Sequence, residues 1–412
     1  MMDAIYRCCA GLDVHLKSVA VCIRRIDEHG NVGSTVRTFK TMTLDLLAMA
    51  DWLSTEGVTH VAMESTGVYW KPIYNIIEGQ FEILLVNARH VKNVPGRKTD
   101  VRDCEWLAQL LQCGLLRGSF IPPRPQRELR DLTRMRTQLT REAAAVAARI
   151  HKVLEDANIK LGSVASDILG VSGRHMIAAL IGGETDAEKV ADLARRKLRK
   201  KMPELQQALQ GRVTDHHRFM LKALLNHLTY LESQIQHFSD RIEEAALPFQ
   251  TAITALIPMP GFEKASAQNV IAEIGADMTR FPSHAHLCSW AKICPGNHES
   301  AGKRKSGRIG KGNPWLRTTL TQVAWAASRN KKSYFRAQYF RLAGRRGKKR
   351  ALIAVAHSIL TATYFMLKYQ RPYRELGADY FDRLGHERLR RYHVKRLETL
   401  GYKVELTEKP AA

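Results

Sequence analysis

CAGLDVHLKSVAVCIRR, residues 9 to 25, holds two apolar runs separated by a polar break at His15 to Ser18. That pattern predicts a strand, a tight turn and a second strand, with Asp13 standing in the first. Working outward, NVGSTVRTFKT (Asn31 to Thr41) reads as a third strand, and TLDLLAMADWLSTEG as a helix closed by Gly57. VTHVAMEST (Val58 to Thr66) is a fourth strand carrying Glu64 at its end. A short helix over Trp70 to Ile77, a fifth strand in FEILLVN and a helix in GRKTDVRDCEWLAQLL (Gly96 to Leu111) follow. Three strands, helix, strand, helix, strand, helix is the order of the ribonuclease H-like α/β fold. In that fold a carboxylate on the first strand lies beside one on the fourth, near the start of the late helix.

Asp100 and Asp103 stand three apart at the opening of that late helix and share one of its faces. Trp106, Leu107, Leu110 and Leu111 recur at helical spacing and bury the rest. Each acid alone reads equally well as a strand-end charge or a first-turn residue that suits the helix dipole. Jointly, Asp13, Glu64, Asp100 and Asp103 are expected to converge. Converging carboxylates raise one another's pKa unless a cation neutralises them, and hard oxygen donors of this kind suit magnesium. A pair of such ions stabilises both the attacking and the leaving oxygen on a phosphate. The preceding loop, NARHVKNVPGRKTD, supplies Arg97 and Lys98 for a phosphodiester backbone.

Charge narrows the partner. In 412 residues, Lys plus Arg is 64 against 40 for Asp plus Glu, a formal charge of +24 with a pI near 9.9. Such an excess favours a polyanion, nucleic acid above all. The rival, a membrane, has one candidate span, Ala351 to Leu367. That stretch falls short of the roughly 20 apolar residues required and is flanked by basic residues, so it reads as a buried helix. No secretory signal is visible at the N-terminus, and seven cysteines with no CxxC pair suit a reducing cytoplasm. His284, His286, Cys288, Cys294 and His298 follow no common zinc-finger spacing.

Past IPPRPQ the character changes, giving a division into residues 1–121, 122–248 and 249–412. In the middle region Leu129, Leu132, Leu139, Ala143, Val146, Ile150, Val153 and Ala157 follow a heptad, with Arg136 intruding at a core position. Leu221, Leu224, Leu228, Leu231, Ile235, Phe238, Ile242 and Ala245 form a second such series. These coiled-coil seams must be buried against each other or against a second subunit. ARRKLRKKM (Ala194 to Met202) is a basic run that suits a solvated face or a nucleic-acid contact. The last region is mainly α. It opens with TALIPMPGFEKASAQNVIAEIG, which resembles a helix-hairpin-helix but has Glu263 where a second glycine is usual. CPGNHESAGKRKSGRIGKGNPWLR (Cys294 to Arg317) then offers Lys303, Arg304, Lys305, Arg308, Lys311 and Arg317 in a glycine-rich loop feeding a helix, suited to grip a phosphate. Ser300 and Ser306 lie inside it. A serine there is ordinarily a turn former; among phosphate-binding cations it is also a candidate nucleophile. GRRGKKR and HERLRRYHVKR add basic surface with tyrosines available for stacking.

GLDVHLKSVAV, VAMESTGVYW, NVPGRKTDVRDCEWLAQLL, PMPGFEKASAQNVIAEIG and ESAGKRKSGRIGKGNPWLR together resemble the DEDD transposases of the insertion sequence one-ten type, over nearly the whole chain. The resemblance implies a RuvC-like domain whose acidic tetrad is Asp13, Glu64, Asp100 and Asp103, binding Mg2+. It implies a serine, best matched by Ser300, that attacks DNA to give a covalent phosphoserine link. The motif reads Ser-Ala-Gly here, which keeps Ser306, followed directly by Gly307, as the alternative. Further implications are a bacterial cytoplasmic, nucleoid-associated enzyme, DNA as partner, a dimer or tetramer that combines tetrad and serine from different subunits, and, in some members, a guiding bridge RNA. Two other activities remain open: a metal-dependent structure-selective nuclease of the Holliday junction type, which would need the tetrad alone with the serine loop only binding backbone, and a DNA invertase, which would share these motifs. An architectural binder without catalysis would require the four carboxylates to be accidental.

Overall fold

The computed structural model describes residues 5–65, 67–88, 91, 103–296 and 298–407. The chain divides into two compact units, Met1–Pro122 and Pro123–Ala412.

The first unit is a five-stranded sheet of order β3-β2-β1-β4-β5, built from β1 (Cys8–Val14), β2 (Ser18–Ile26), β3 (Val32–Lys40), β4 (His60–Glu64) and β5 (Glu82–Val86). The first three strands form an antiparallel meander, while β4 pairs parallel with β1 and β5 with β4. Helices α1 (Thr43–Thr55) and α2 (Trp70–Ile77) connect them, and α3 (Asp103–Gln112) follows. The elements predicted from alternation and turn residues are present in the predicted order. Gly57 follows α1 at φ +72°, a conformation that favours glycine.

The two faces of this sheet differ in side-chain size, and that difference sets the height of each layer. Leu12, Val14, Val21, Ile23 and Met63 point one way and bury against Leu46, Met49, Leu53, Ile73 and Ile77 of α1 and α2. The other face alternates with it and carries Cys9, Gly11, Ala20, Cys22 and Ala62. Cys9 and Ala62 pack with Trp106, Leu107, Leu110 and Leu111, and Cys22 with Cys104 and Ala108. On this small-residue floor α3 sits directly on the backbone. A Cβ on Gly11 would lie 2.3 Å from the Cys104 carbonyl oxygen and 2.4 Å from the Ala108 nitrogen.

In the second unit, α4 (Arg124–Asp156, 33 residues) and α9 (Asp215–Ala245, 31 residues) are long helices roughly 50 Å in length at 1.5 Å per residue. His217 near the start of α9 bonds Asp156 at the end of α4 at 3.0 Å, so the two run antiparallel. Their seams face each other and flanking helices of the same chain. Val146, Ile150 and Leu154 cluster with Leu221, Leu228 and Leu231 and with the short helices α5 (Leu161–Val164), α6 (Val171–Ile181), α7 (Ala187–Asp192) and α8 (Met202–Leu209). The opposite end, Leu129 with Ile242 and Ala246, joins the core of the remaining helices. The basic run contributes a 3-10 turn, Arg196–Lys201, with no buried residue.

Arg136 is buried yet satisfied: it donates to Gln268 Oε1 at 2.9 Å, Asn269 Oδ1 at 3.1 Å and the Ala265 carbonyl at 3.3 Å. Burial holds its pKa below the ordinary arginine value. Those partners lie on α11 (Lys264–Ile274), which a turn through Gly261 joins to α10 (Gln250–Leu256). At φ +91°, Gly261 lies against α13 (Pro314–Ala327), where a Cβ would meet the Val323 carbonyl oxygen at 2.2 Å. Glu263 takes its place by opening α11, its amide donating to Ser266 Oγ at 2.9 Å. α12 (His284–Trp290), α14 (Tyr334–Arg346) and α15 (Lys348–Tyr369) complete this core. The sequence reading found the apolar stretch of α15 too short for a membrane. The helix itself has 22 residues and is long and apolar enough by length and composition to cross one. Ala351, Val355, Ile359, Leu360 and Tyr364 on its buried face belong to the core.

Two measurements test this layering. Gly11→Val should cost about 3 kcal/mol in urea unfolding, because the added atoms meet helix backbone rather than a movable side chain; a cost below about 1 kcal/mol would rule out the close approach. Burial pushes the thiols of Cys9 and Cys22 from 9.0 up to about 12. Raised folded-state values mean that their contribution to stability is fully present below the unfolded thiol value and is lost as pH rises toward 12. At about pH 8 both should resist iodoacetamide until urea unfolds the sheet, whereas the partly exposed Cys8, Cys113 and Cys294 should react first.

Candidate functional site

Asp13 is the penultimate residue of β1 and Glu64 the last of β4. The parallel register pairs Leu12 with Met63, so one further step brings Asp13 level with Glu64. By strand alternation both belong to the small-residue face, the one covered by α3. The direction of α3 follows from its far end: Gln112 accepts a 2.9 Å hydrogen bond from Arg24, the register partner of Cys9 at the start of β1. Its first residue, Asp103, therefore lies at the Asp13 end. Three of the four predicted acids thus share one edge, at the carboxyl ends of the parallel strands. That is where open α/β sheets bind their ligands.

Asp13 is largely shielded and bonds His15 Nε2 at 3.2 Å, Glu64 is half-buried, and Asp103 is exposed. Burial raises the Cys104 thiol above its ordinary value, and the carboxylates of Glu105 and Asp13 add to the effect. Asp100, Arg97 and Lys98 lie outside the described residues. Among the described residues no three Asp, Glu, His or Cys side chains group closely enough to hold a metal. The donors gathered at this edge are carboxylate oxygens, the type a hard divalent cation takes.

In the second unit, β6 (His298–Ser300) and β7 (Lys303–Ser306) form an antiparallel hairpin in which Ser300 pairs with Lys303. Its two-residue turn, Ala301 and Gly302, has φ of +51° and +72°, the signature of a primed hairpin turn. Ser300 is thus the last strand residue before the tip. Its side chain, and those of Arg304 and Lys305, lie outside what is described. The Ser306 hydroxyl accepts the Arg308 amide at 3.1 Å, the work of a turn former. Lys303, Arg308 and Lys311 are exposed and Arg317 is half-buried. The glycines between them let the loop lie flat: a Cβ on Gly312 would meet the Ala291 carbonyl oxygen at 2.4 Å. Three of the five histidine and cysteine residues weighed for zinc have other contacts. Cys288 is buried 3.7 Å from Thr361 Oγ1, His284 tilts against Phe365, and His286 bonds Ser283 Oγ at 2.8 Å.

What sequence reasoning missed is the anchor of this loop. Glu273, the lone charge in the apolar NVIAEIG stretch, is almost fully buried on α11. It accepts Arg134 Nε at 2.7 Å and Nη2 at 2.9 Å, pairs with Arg130 at 3.3 Å, and accepts Asn313 Nδ2 at 2.5 Å. Asn313 in turn caps α13, taking the amides of Trp315 and Leu316 at 3.0 and 3.2 Å. Arg134 and Arg141 lie over the Trp315 ring. The available signal was an acid on an otherwise apolar helix and two arginines four apart on another.

A profile described as "Transposase" matches residues 10–159, and one described as "Transposase IS116/IS110/IS902 family" matches residues 254–340. Together they cover more than half of the chain, which belongs to this transposase family. Among similar proteins are the pilin gene-inverting protein of Moraxella lacunata, 28% identical over 160 residues, and that of Moraxella bovis, 27% identical over 158. Each match takes in 35% of this chain and 49% of the relative, so the chain spans about half the length of either.

Glu273→Leu is expected to destabilise the second unit by about 3–5 kcal/mol, since it strands two guanidinium groups, one well buried, without their counter-charge. Urea unfolding checks this; a change under about 1 kcal/mol would mean that the cluster does not brace the loop.

Proposed function

We propose that the chain is a site-specific DNA recombinase of a bacterial mobile element, acting through a RuvC-like N-terminal domain and a serine-bearing C-terminal domain. The observation that carries this reading is the placement of Asp13, Glu64 and Asp103 toward the same end of the sheet, in a chain whose family is that of transposases. The sheet order, with its antiparallel meander and parallel outer strands, supports the ribonuclease H-like assignment.

In this reading Asp13, Glu64, Asp100 and Asp103 hold Mg2+. When bound, the ion supplies charge stabilisation to the oxygens around the reacting phosphorus. Ser300 Oγ attacks a DNA phosphorus, the bond from phosphorus to the leaving deoxyribose oxygen breaks, and the serine proton ends on that oxygen. The phosphoserine link conserves the diester for rejoining, with the reverse attack by a DNA hydroxyl restoring Ser300. Lys303, Arg304, Lys305, Arg308, Lys311 and Arg317, with Arg97 and Lys98 in the other unit, grip the backbone as charge-assisted donors. The choice of Ser300 rests on its place beside the hairpin tip, while Ser306 Oγ is engaged within its own turn. Homo-oligomers that combine tetrad and serine across subunits, and a structured guide RNA, belong to the same proposal. Similarity to pilin gene-inverting proteins favours inversion as an outcome beside insertion.

The test uses purified protein, Mg2+ and end-labelled DNA carrying the element's termini, with and without RNA transcribed from the element, run on a denaturing gel. Label should migrate with the polypeptide in the wild type and in Ser306→Ala, and should vanish in Ser300→Ala and Asp13→Ala. Free cleaved ends without any adduct would instead make this a hydrolytic nuclease, with the serine loop only binding backbone.

A further inference from the structure

A cavity of about 640 Å³ opens in the second unit, walled by α14, α15, His284 and the segment that follows α15. Its size falls within the roughly 300–1,000 Å³ of small-ligand sites. No role in the proposed strand chemistry is assigned to it. Its lining is aromatic and cationic together. Phe365 and Tyr369, one turn apart on α15, have parallel rings at 8° with centroids 6.1 Å apart, and both are substantially exposed. Arg371 and Arg374, both exposed, stand at the rim, Arg371 with its guanidinium 5.9 Å from the Tyr369 ring centre.

Polar side chains line the cavity as well, among them His284 and His357. His284 Nδ1 is buried and has no hydrogen-bond partner, although its ring packs 5.2 Å from Phe365. Burial, with His284 nearby, lowers the pKa of His357 and so favours the neutral ring, which has one donor and one acceptor. Glu375, next to Arg374 in the chain, is occupied by the amides of Tyr334 and Gly377 and by the Tyr373 hydroxyl, at 2.8, 3.0 and 3.1 Å. A neighbouring cavity of about 320 Å³ shares Arg374 and Leu376 and adds Arg383. Arg374 thus stands between two adjoining recesses, as a phosphate clamp between successive bases would.

We propose that this cavity receives an unpaired nucleotide, its base stacked on the Tyr369 and Phe365 rings, its edge met by His284, and its phosphate held by Arg371 and Arg374. Flat rings beside cations recognise single strands without a sequence code, because every base offers a π face and every link a negative charge. A base inside a duplex could not enter. The inference rests on reading the chain as a nucleic-acid enzyme, but not on its serine chemistry.

The probes are short single-stranded DNA and RNA oligonucleotides containing 2-aminopurine, beside a blunt duplex with the same label, titrated into the full chain in EDTA so that no strand transfer occurs. Stacking should quench the fluorescence of the DNA or the RNA single strand, and the two arms tell which is held. Tyr369→Ala should abolish the quench and weaken single-strand binding about tenfold, with duplex affinity unchanged and Tyr369→Trp behaving as wild type. Arg374→Gln should lower the salt dependence by about 0.7 in the logarithmic slope, one phosphate contact on a single strand. Wild-type binding by Tyr369→Ala, or an equal loss on duplex and single strand, would overturn the proposal. So would a smaller sedimenting species in Tyr369→Ala with nucleotide binding intact, which would make the groove a contact between copies. A quench that persists while strand transfer fails would sink only the recombinase reading; strand transfer without a quench would sink only the pocket.

Discussion

The second unit depends on one buried carboxylate. Glu273 is nearly excluded from water, and an isolated charge there would be untenable; Arg130, Arg134 and Asn313 make it a junction instead. The geometry works because Glu273 sits in the last turn of α11. From that position Arg130 reaches the side chain and also the carbonyls of Ala272 and Glu273, at 3.2 and 2.7 Å, while Gln126 reaches Ala272 at 3.1 Å. The cation completes a helix C-terminus where the dipole favours it. Desolvation pulls the Arg130 pKa below its ordinary value, and nearby Glu273 opposes that pull. Three elements far apart in sequence are thereby fixed to one another: the first turns of α4, the end of α11 and the cap of α13. The last of these is where the cationic loop enters its helix.

In the first unit the corresponding constraint is steric. A helix can lie on a sheet at backbone distance only where side chains are withheld, and Gly11 with Cys9, Ala20, Cys22 and Ala62 withholds them. With no side-chain layer between, α3 cannot shift along β1 without clashing, so Asp103 has a defined height relative to Asp13. Large residues on this face would still have given an α/β layer, but one whose first helical turn stood several ångströms further off. The bulky opposite face supplies the hydrophobic burial that this close contact forgoes.

Much of this was legible in the sequence, for identifiable reasons. Strand alternation and turn chemistry are local, so the strands from Cys8 to Val86 and the helices between them could be read directly, with Asp13 and Glu64 on the strands where the structure has them. The heptads of α4 and α9 were equally plain, but a periodic seam does not name its partner. That partner is the other helix and the short helices between them. Arg136 broke the pattern because its partners, Gln268 and Asn269, lie more than a hundred residues away. Glu273 was passed over for the same reason: an acid on an apolar helix declares its role only once the arginines that meet it are known. The small-residue floor was present in the letters, yet alternation of size, unlike alternation of polarity, becomes informative only when the helix that exploits it has been placed.

The two constraints bear differently on chemistry. In the proposed site, carboxylates brought around a cation would repel one another before it arrives, so the scaffold under them must resist spreading. Backbone against backbone is suited to that, because it has no rotamer to yield. A loop that receives a long, charged polymer has the opposite need: it must adapt to the polymer while its ends stay fixed. The hairpin from His298 to Ser306 opens the cationic loop, and the Asn313 cap held by Glu273 fixes the loop's far end. Under the proposed recombinase reading, firm support beneath the acids and a cationic loop held at its end are what each half of a phosphodiester transfer would need.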